Sequence, residues 1–507
     1  LTSYHYFVYS YLKLLFNKLF VIKRRKMDKL FKAVLIALIF SVVFTGCKKN
    51  QAPEIPSTPV GPSSGSINIE YTFTSSAEEL NEDSVVIRFD WSDGDTSDWS
   101  AWQASEDSIS MSHSWTDNGT YSVKAQAKNK KDVTSDWSAG HPIDISAGWF
   151  NTFGGSNLDD GRSVKQTSDG GYIIAGCTQS YGGGWTDVYL IRTNPGGDTL
   201  WTKTFGGSAE EWGEAVRPTS DSGYIVVGEC MLGSNRQIWL IKTNSTGIRT
   251  WDKYFGYDDC QEDGNAVQQT SDGGYIIVGT TQEDGHDQVF LIKTGADGGT
   301  AWYKLKGYSD SNERGYSVQQ TTDGGYIITG TTNHFDDDGD VWLVKVGADG
   351  GTAWSQHFGD ASSDYGNSVR QTTDGGYVIV GGTGPTDNQN IYLIKTDANG
   401  NQQWSRIYGG SAMEWGKTVE QTSDGGYMIA GTTASYGAGQ ADIYLIKTNA
   451  TGDTLWTKTF GGSAYDWGNS VQQTSDGGYI ITGATESYGV GSYDVYLIKT
   501  DANGNTE

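Results

Sequence analysis

Eleven residues, "QTSDGGYIIAG", run from Gln166 to Gly176, and near-copies return as "QTSDGGYIIVG", "QTTDGGYIITG", "QTSDGGYMIAG" and "QTSDGGYIITG". A chain that repeats itself at this length must fold as an array of like units, each burying its apolar face against the next. Tryptophans set the period: Trp149, Trp201, Trp251, Trp302, Trp354, Trp404 and Trp456 follow one another at 50 to 52 residues. Seven repeats therefore occupy the chain from 148 to 507. Each holds four strand-like runs, which in the last copy read "WTKTFGG", "NSVQQT", "GYIITGAT" and "DVYLIKT". The "SDGG" and "DANGN" segments between runs are tight turns, because Asp-Gly and Asn-Gly supply the positive φ that such turns require.

Four antiparallel strands with two packable faces make one blade of a β-propeller, so the expected fold is all-β: a small β-sandwich followed by a seven-bladed propeller. The first repeat opens on a Trp strand without a preceding partner. Strand 149–155 is expected to pair with 495–500 and close the ring, which removes the exposed sheet edges of an open stack. A longer array cut at Glu507 is the alternative. Each anchoring Trp can bury about 150 to 250 Å², a gross gain of about 4 to 6 kcal/mol per blade before conformational entropy is charged. Composition agrees with short strands and glycine turns, with 69 Gly, 8 Pro, 18 Trp and 29 Tyr. The formal charge of −25 argues against nucleic acid as a partner, since that binding relies on Lys and Arg neutralising phosphates.

The N-terminal region reads as an address. From Met27, "MDKLFKAVLIALIFSVVFTGCKKN" has a short basic segment, an apolar run and small residues before a cysteine, the order of a signal peptide. Phe44-Thr45-Gly46-Cys47 resembles the lipobox of bacterial lipoproteins, with Phe where Leu is commoner. The resemblance implies lipidation of Cys47, a membrane partner through that anchor, and an outer-membrane or cell-surface location, since Lys48 stands where Asp would favour inner-membrane retention. Residues 1–26 are read as translated upstream sequence, 27–47 as the signal peptide, and 48–65, rich in Pro and Ser, as a tether.

Between 66 and 147, alternating runs such as "INIEYTFT", "SVVIRFDW" and "TYSVKAQAK" predict a small β-sandwich. Asp90-Trp91-Ser92-Asp93-Gly94, with "SHSW" and Gly119-Thr120-Tyr121, resembles the PKD family of immunoglobulin-like modules, where Gly usually replaces Ser92. That resemblance implies a spacer or adhesion unit. Asp90, Asp93 and His113 are read as turn and corner residues rather than metal ligands.

The repeats themselves, with paired glycines and units such as "YLIKTDANGNQQW", resemble kelch-type propellers weakly and the Trp-anchored repeats of secreted bacterial propeller proteins more closely. The "TSDGG" turn is similar to the Asp-box hairpin of sialidases but lacks its Thr-Trp ending, which lends a glycosidase little support.

Two rims follow from the strand order. The short turns lie on one, and long connections such as "GGSAEEWGEA" and "TTASYGAGQAD" on the other, where binding residues of ring-like folds sit. That rim carries Trp185, Trp212, Trp415, Trp467, Tyr181, Tyr436 and Tyr488. Two readings stand: stacking on sugar rings, or packing between blades. Seven carboxylates at equivalent places, Asp159, Glu211, Glu262, Glu313, Asp364, Glu414 and Asp466, are read as caps of backbone N–H groups. A catalytic pair needs environments that push two pKa values apart, and seven like sites do not provide them. His286, His334, Asp284, Asp287 and Asp336, Asp337, Asp338 and Asp340 fall on neighbouring loops. No cofactor is implied; calcium is the one ion such oxygens could take, with Asp336, Asp338 and Asp340 as ligands, against the simpler reading of a solvated acidic loop. Cys230 and Cys260 are expected to be near enough for a disulfide, leaving Cys177 over.

The segments together predict a lipid-anchored surface protein whose propeller binds polysaccharide or an envelope protein. An envelope glycosidase or lyase with acids on the variable rim is one alternative, and a purely structural surface protein is another.

Overall fold

The structure, a computed structural model, describes residues 51–506 apart from 68–69, 80–83, 147, 258–259, 284, 309, 335–338, 361 and 386–387. The signal peptide, Cys47, Asp284, Asp336, Asp337 and Asp338 lie outside the described residues. The chain divides into two compact units, one built on Phe73–Met111 and Val123–His141, the other on Pro142–Glu507 with the segments Gly61–Thr72 and Ser112–Ser122. Every regular element among the described residues is a strand.

In the first unit, strand Ser84–Asp90 pairs antiparallel with residues 124–128 and with Gln103–Ala104. Its Val85, Ile87 and Phe89 are fully buried, and Trp91 stacks on Phe89 with ring centroids 5.4 Å apart. The acids after it serve the turn: Ser92 N–H donates to Asp90 Oδ1 and Asp95 N–H to Asp93 Oδ1, each at 3.0 Å. Ser92 takes a φ of 67°, the left-handed region, which is the physical reason a glycine suits this position.

The second unit contains seven four-stranded antiparallel sheets. The first comprises Asp159–Gln166, Tyr172–Thr178, Asp187–Thr193 and Thr199–Phe205, in that spatial order. Its two middle strands are buried at every position, so they read as near-continuous apolar runs, whereas the fourth alternates exposed and half-buried residues. The seventh sheet is completed by the earliest strand of the series: Trp149–Phe153 pairs antiparallel with Asp494–Thr500, Trp149 opposite Lys499 and Phe153 opposite Val495.

Seven apolar clusters join consecutive sheets, and one of them joins the seventh to the first through Ile480, Val495 and Leu497 against Val164, Tyr172 and Ile174. At every junction the marker Trp of one sheet packs on the Tyr of the "GGYII" run of the next, with centroids 5.8 to 6.1 Å apart. The Tyr is the more deeply buried partner; Tyr172, Tyr275 and Tyr479 are 1 to 2% exposed, while the Trp side chains are half-buried.

Two further interactions explain letters of the repeat. The Lys of the "LIKT" run is buried and reaches the turn Asp of its own sheet, as in Lys242–Asp221 and Lys395–Asp374 at 2.8 Å; Arg192–Asp169 takes this place in the first sheet. Each first strand also carries a β-bulge. Ser163 pairs with Ala175 and Gly161 with Gly176, which leaves Arg162 as the extra residue. The bulge presses backbone onto backbone: a Cβ on Gly176 would lie 1.8 Å from the Asp160 carbonyl oxygen, so this position of the repeat must be glycine.

One expectation is corrected here. No disulfide joins Cys230 to Cys260. Cys230 is buried in the cluster between the first and second sheets, beside Val226 and Trp239, while Cys260 precedes the first strand of the third sheet. Strand alternation turns the Cys230 side chain away from that neighbour.

Candidate functional site

The first strands of the seven sheets border a cavity of about 660 Å³. Its lining follows from strand alternation, which puts the first and third residues after each buried acid on one side. In each strand the extra residue projects inward, and these seven, Arg162, Glu214, Asn265, Tyr316, Asn367, Lys417 and Asn469, all line the cavity. They share one structural position and almost no chemistry. Trp415, Trp467 and Asp160, one residue after the buried acid of their strands, complete the wall with Leu158, Ala484 and Tyr493.

Trp415 and Trp467 lie 5.3 Å apart at 48°, and Tyr465 stacks on Trp467 at 5.9 Å. Lys417 extends beside them. Its side chain is open to the cavity, and it makes no ion pair among the described residues. Burial lowers its pKa, Arg162 lowers it further, and Asp160 opposes both. In the first sheet, Arg162 is engaged: it donates to Asp160 at 3.0 Å, pairs with Glu214, and its guanidinium lies 4.5 Å over the Trp212 ring. Burial lowers the Arg162 pKa, but Asp160, with Cys177 and Glu229 behind it, raises it on balance. Asn265 and Asn367 donate to the carbonyls of Gly315 and Gly416 in the adjacent sheets, at 2.8 and 2.7 Å. The wall thus combines a tilted indole pair, one uncommitted ammonium and amides held in place by backbone, a set suited to the apolar faces and hydroxyls of a sugar.

The other expected site residues are placed as follows. Trp185 is 77% exposed on the loop of the first sheet, outside the cavity wall. Tyr181, Tyr436 and Tyr488 are half-exposed, and each hydroxyl donates to a glycine carbonyl after the fourth strand of the preceding sheet, Gly154, Gly409 and Gly461, at 2.7 to 3.0 Å. They lock sheet to sheet. The seven repeated acids, Asp159, Glu211, Glu262, Glu313, Asp364, Glu414 and Asp466, are at most 5% exposed, and each accepts a backbone N–H four or five residues earlier at 2.8 to 3.2 Å. Asp340 begins the third strand of its sheet, buried, where Asp187, Asp442 and Asp494 stand in others and accept loop N–H groups. No group of three or more His, Cys, Asp or Glu able to hold a metal ion occurs among the described residues.

Sequence reasoning passed over the bulge residues. Their signal is visible once the repeats are aligned on the buried acid: three residues on, between an invariant Gly and a small or hydroxyl residue, the letters run R, E, N, Y, N, K, N. It also passed over a carboxyl pair. Burial and the neighbouring Asp263 push Glu229 up, toward the protonated form, while Arg236 bonds Asp263 at 2.6 Å and lies 3.8 Å from Glu229.

No protein-family model and no curated protein matches the chain. Among solved structures it is similar to the PKD domain of an M14-like peptidase from a Thermoplasmatales archaeon, at 32% identity over 19% of this chain and 98% of that one, with a TM-score of 0.18. It is also similar to Sqt1 from Chaetomium thermophilum, at 10% identity over 89% and 99% of the two chains and a TM-score of 0.41. A third likeness is to the extracellular domain of a hybrid two-component system from B. thetaiotaomicron, at 13% identity over 75% and 44% and a TM-score of 0.38.

Proposed function

We propose that the chain is a surface protein of a bacterial envelope, anchored through a lipid on Cys47, whose seven sheets are the blades of a closed propeller and whose central cavity binds a carbohydrate. Closure is supported by the pairing of Trp149–Phe153 with Asp494–Thr500 and by the apolar cluster between the seventh and first sheets. Export and anchoring are supported by the segment order from Met27 to Cys47.

The observation that carries the binding reading is the Trp415–Trp467 pair beside Lys417. These side chains stand at positions the repeat leaves free to vary, on a frame it otherwise holds constant. Indole faces supply stacking area at low entropic cost, and the uncommitted ammonium supplies a directional donor. The test is retention of the purified protein on a panel of neutral and acidic polysaccharides, with calcium and with chelator, because Asp336, Asp338 and Asp340 are the candidate calcium ligands. Retention lost in Trp415→Ala and Trp467→Ala, and kept in Trp185→Ala, supports the cavity; retention unaffected by all three removes it.

A hydrolytic reading rests on Glu229, which burial and Asp263 hold toward the protonated form. Arg236 already pairs with Asp263, which favours a structural role for the group. Product release from any of the same polysaccharides, abolished in Glu229→Gln, would reverse that preference.

A further inference from the structure

A second constellation lies on the same seven strands, six residues after each buried acid. The bulge shifts strand alternation by one residue, so this sixth residue returns to the side of the first, the side of Asp160 and Trp415. In four sheets the position serves the junction. Gln268, Gln319 and Gln472 accept the backbone N–H groups of Gln320, Gln371 and Gln166 in the following sheet at 2.6 to 2.8 Å, and Glu420 accepts that of Gln473 at 3.4 Å. In the other three it is Lys165, Arg217 or Arg370, cations that cannot accept a hydrogen bond.

These cations gather in one space. Lys165 of the first sheet bonds Glu420 of the sixth at 3.1 Å, with the seventh lying between those two in the series. Arg217 and Arg370 each donate to the carbonyl of the preceding residue, Val216 and Val369, at 2.8 Å, and neither has a salt bridge among the described residues. Three cations therefore face one carboxylate, a surplus of two positive charges inside a chain of formal charge −25. The crowding is costly. Burial, and then Arg370, bring the Arg217 guanidinium down to about 10, and burial brings Lys165 down to about 8 in spite of Glu420. Structural need does not account for it, since Gln fills the same position in three sheets and makes a junction bond there.

We infer that Lys165, Arg217 and Arg370 form an anion site that takes an oxyanion group, carboxylate, sulfate or phosphate, with Glu420 orienting Lys165. Guanidinium groups present paired N–H donors that match such oxygens, and the desolvated surroundings strengthen each bond. The group can come from a free ion or from an acidic polymer that reaches these strands, and the site does not depend on a sugar being held by Trp415 and Trp467.

The test titrates the full chain with inorganic phosphate and sulfate, and separately with polygalacturonate, at constant ionic strength, followed by calorimetry and by melting temperature. The expected result is saturable one-to-one uptake that raises the melting temperature and is weakened at least tenfold in Arg217→Gln and in Arg370→Gln. Both variants should melt no lower than the wild type in low-salt buffer, because each relieves like-charge repulsion. Uptake of phosphate or sulfate identifies a free ion as the source; uptake of polygalacturonate alone identifies a polymer carboxylate. Absence of saturable uptake of all three by the wild type overturns the inference even if a variant fails to fold. So does uptake that both variants retain at full strength.

Discussion

The second strands and the first strands of the seven sheets are built from the same repeat, yet one set is nearly uniform and the other diverges. In the second strands every position from Tyr172 to Thr178, and likewise from Tyr377 to Thr383, is buried. Neighbouring sheets press on both faces, so only apolar residues of similar volume fit. In the first strands the buried positions also repeat, as acid, Gly and Val, but the third residue after the acid lines the cavity, the sixth falls on the side of the first, and the two range over Arg, Glu, Asn, Tyr, Lys and Gln. Repetition marks where packing decides the residue, and divergence marks where something other than packing does.

The largest test of that contrast is Gly330→Val, in a second strand. Its Cβ would fall 1.7 Å from the Arg314 carbonyl oxygen, so the bulge cannot form. Loss of at least about 3 kcal/mol, or failure to fold, is expected by thermal or urea unfolding. A melting temperature near that of the wild type would break the comparison.

In the first strands, Trp415→Ala and Trp467→Ala should each weaken glycan retention at least tenfold, about 1.4 kcal/mol, with a smaller effect on stability. Asn367→Ala removes one bond to the Gly416 carbonyl and should cost about 1 kcal/mol in unfolding measurements.

The turn acids sharpen the comparison from the other rim. The Thr270 hydroxyl and the Lys293 ammonium, against slight burial, hold the Asp272 carboxyl at about 2, and Asp323 is held at about 2 in the same way by Thr321 and Lys345. A folded pKa below the unfolded value of about 3.9 contributes stability that is complete above that value and is lost as pH falls through the folded one. Melting temperatures should therefore fall between about pH 4 and pH 2. Asp272→Asn should fall less over that window, by under about 1 kcal/mol because these carboxylates are largely exposed. Equal slopes for variant and wild type would show that the ion pair does not contribute.

The smallest expected effect is a gain. Ser222 stands where Gly170, Gly273 and Gly425 stand in other sheets, and it is forced to a φ of 65°. Ser222→Gly should stabilise by about 1 kcal/mol, read as a raised melting temperature.

Much of the frame was legible beforehand. Strand count per repeat, turn chemistry and the capping role of acids such as Asp159 and Glu414 depend on contacts within about fifty residues, and the period displays them. The marker Trp was legible only as an anchor; that it stays half-buried against the Tyr of the next sheet depends on the neighbour. The disulfide expected of Cys230 failed for the same reason, since strand alternation turns that thiol into the preceding junction.

By itself the sequence determined a series of four-stranded units with capped first strands and glycine turns, because those features are local and each repeat states them again. Only the tertiary structure decided which residues meet across the cavity. Arg162, Lys417 and Asn469 are an ordinary third residue of an alternating run, and only the arrangement of the seven sheets turns that side of every first strand toward one cavity. Lys165 and Glu420, 255 residues apart, are joined because their sheets face a common space, and no periodicity within either strand encodes that meeting.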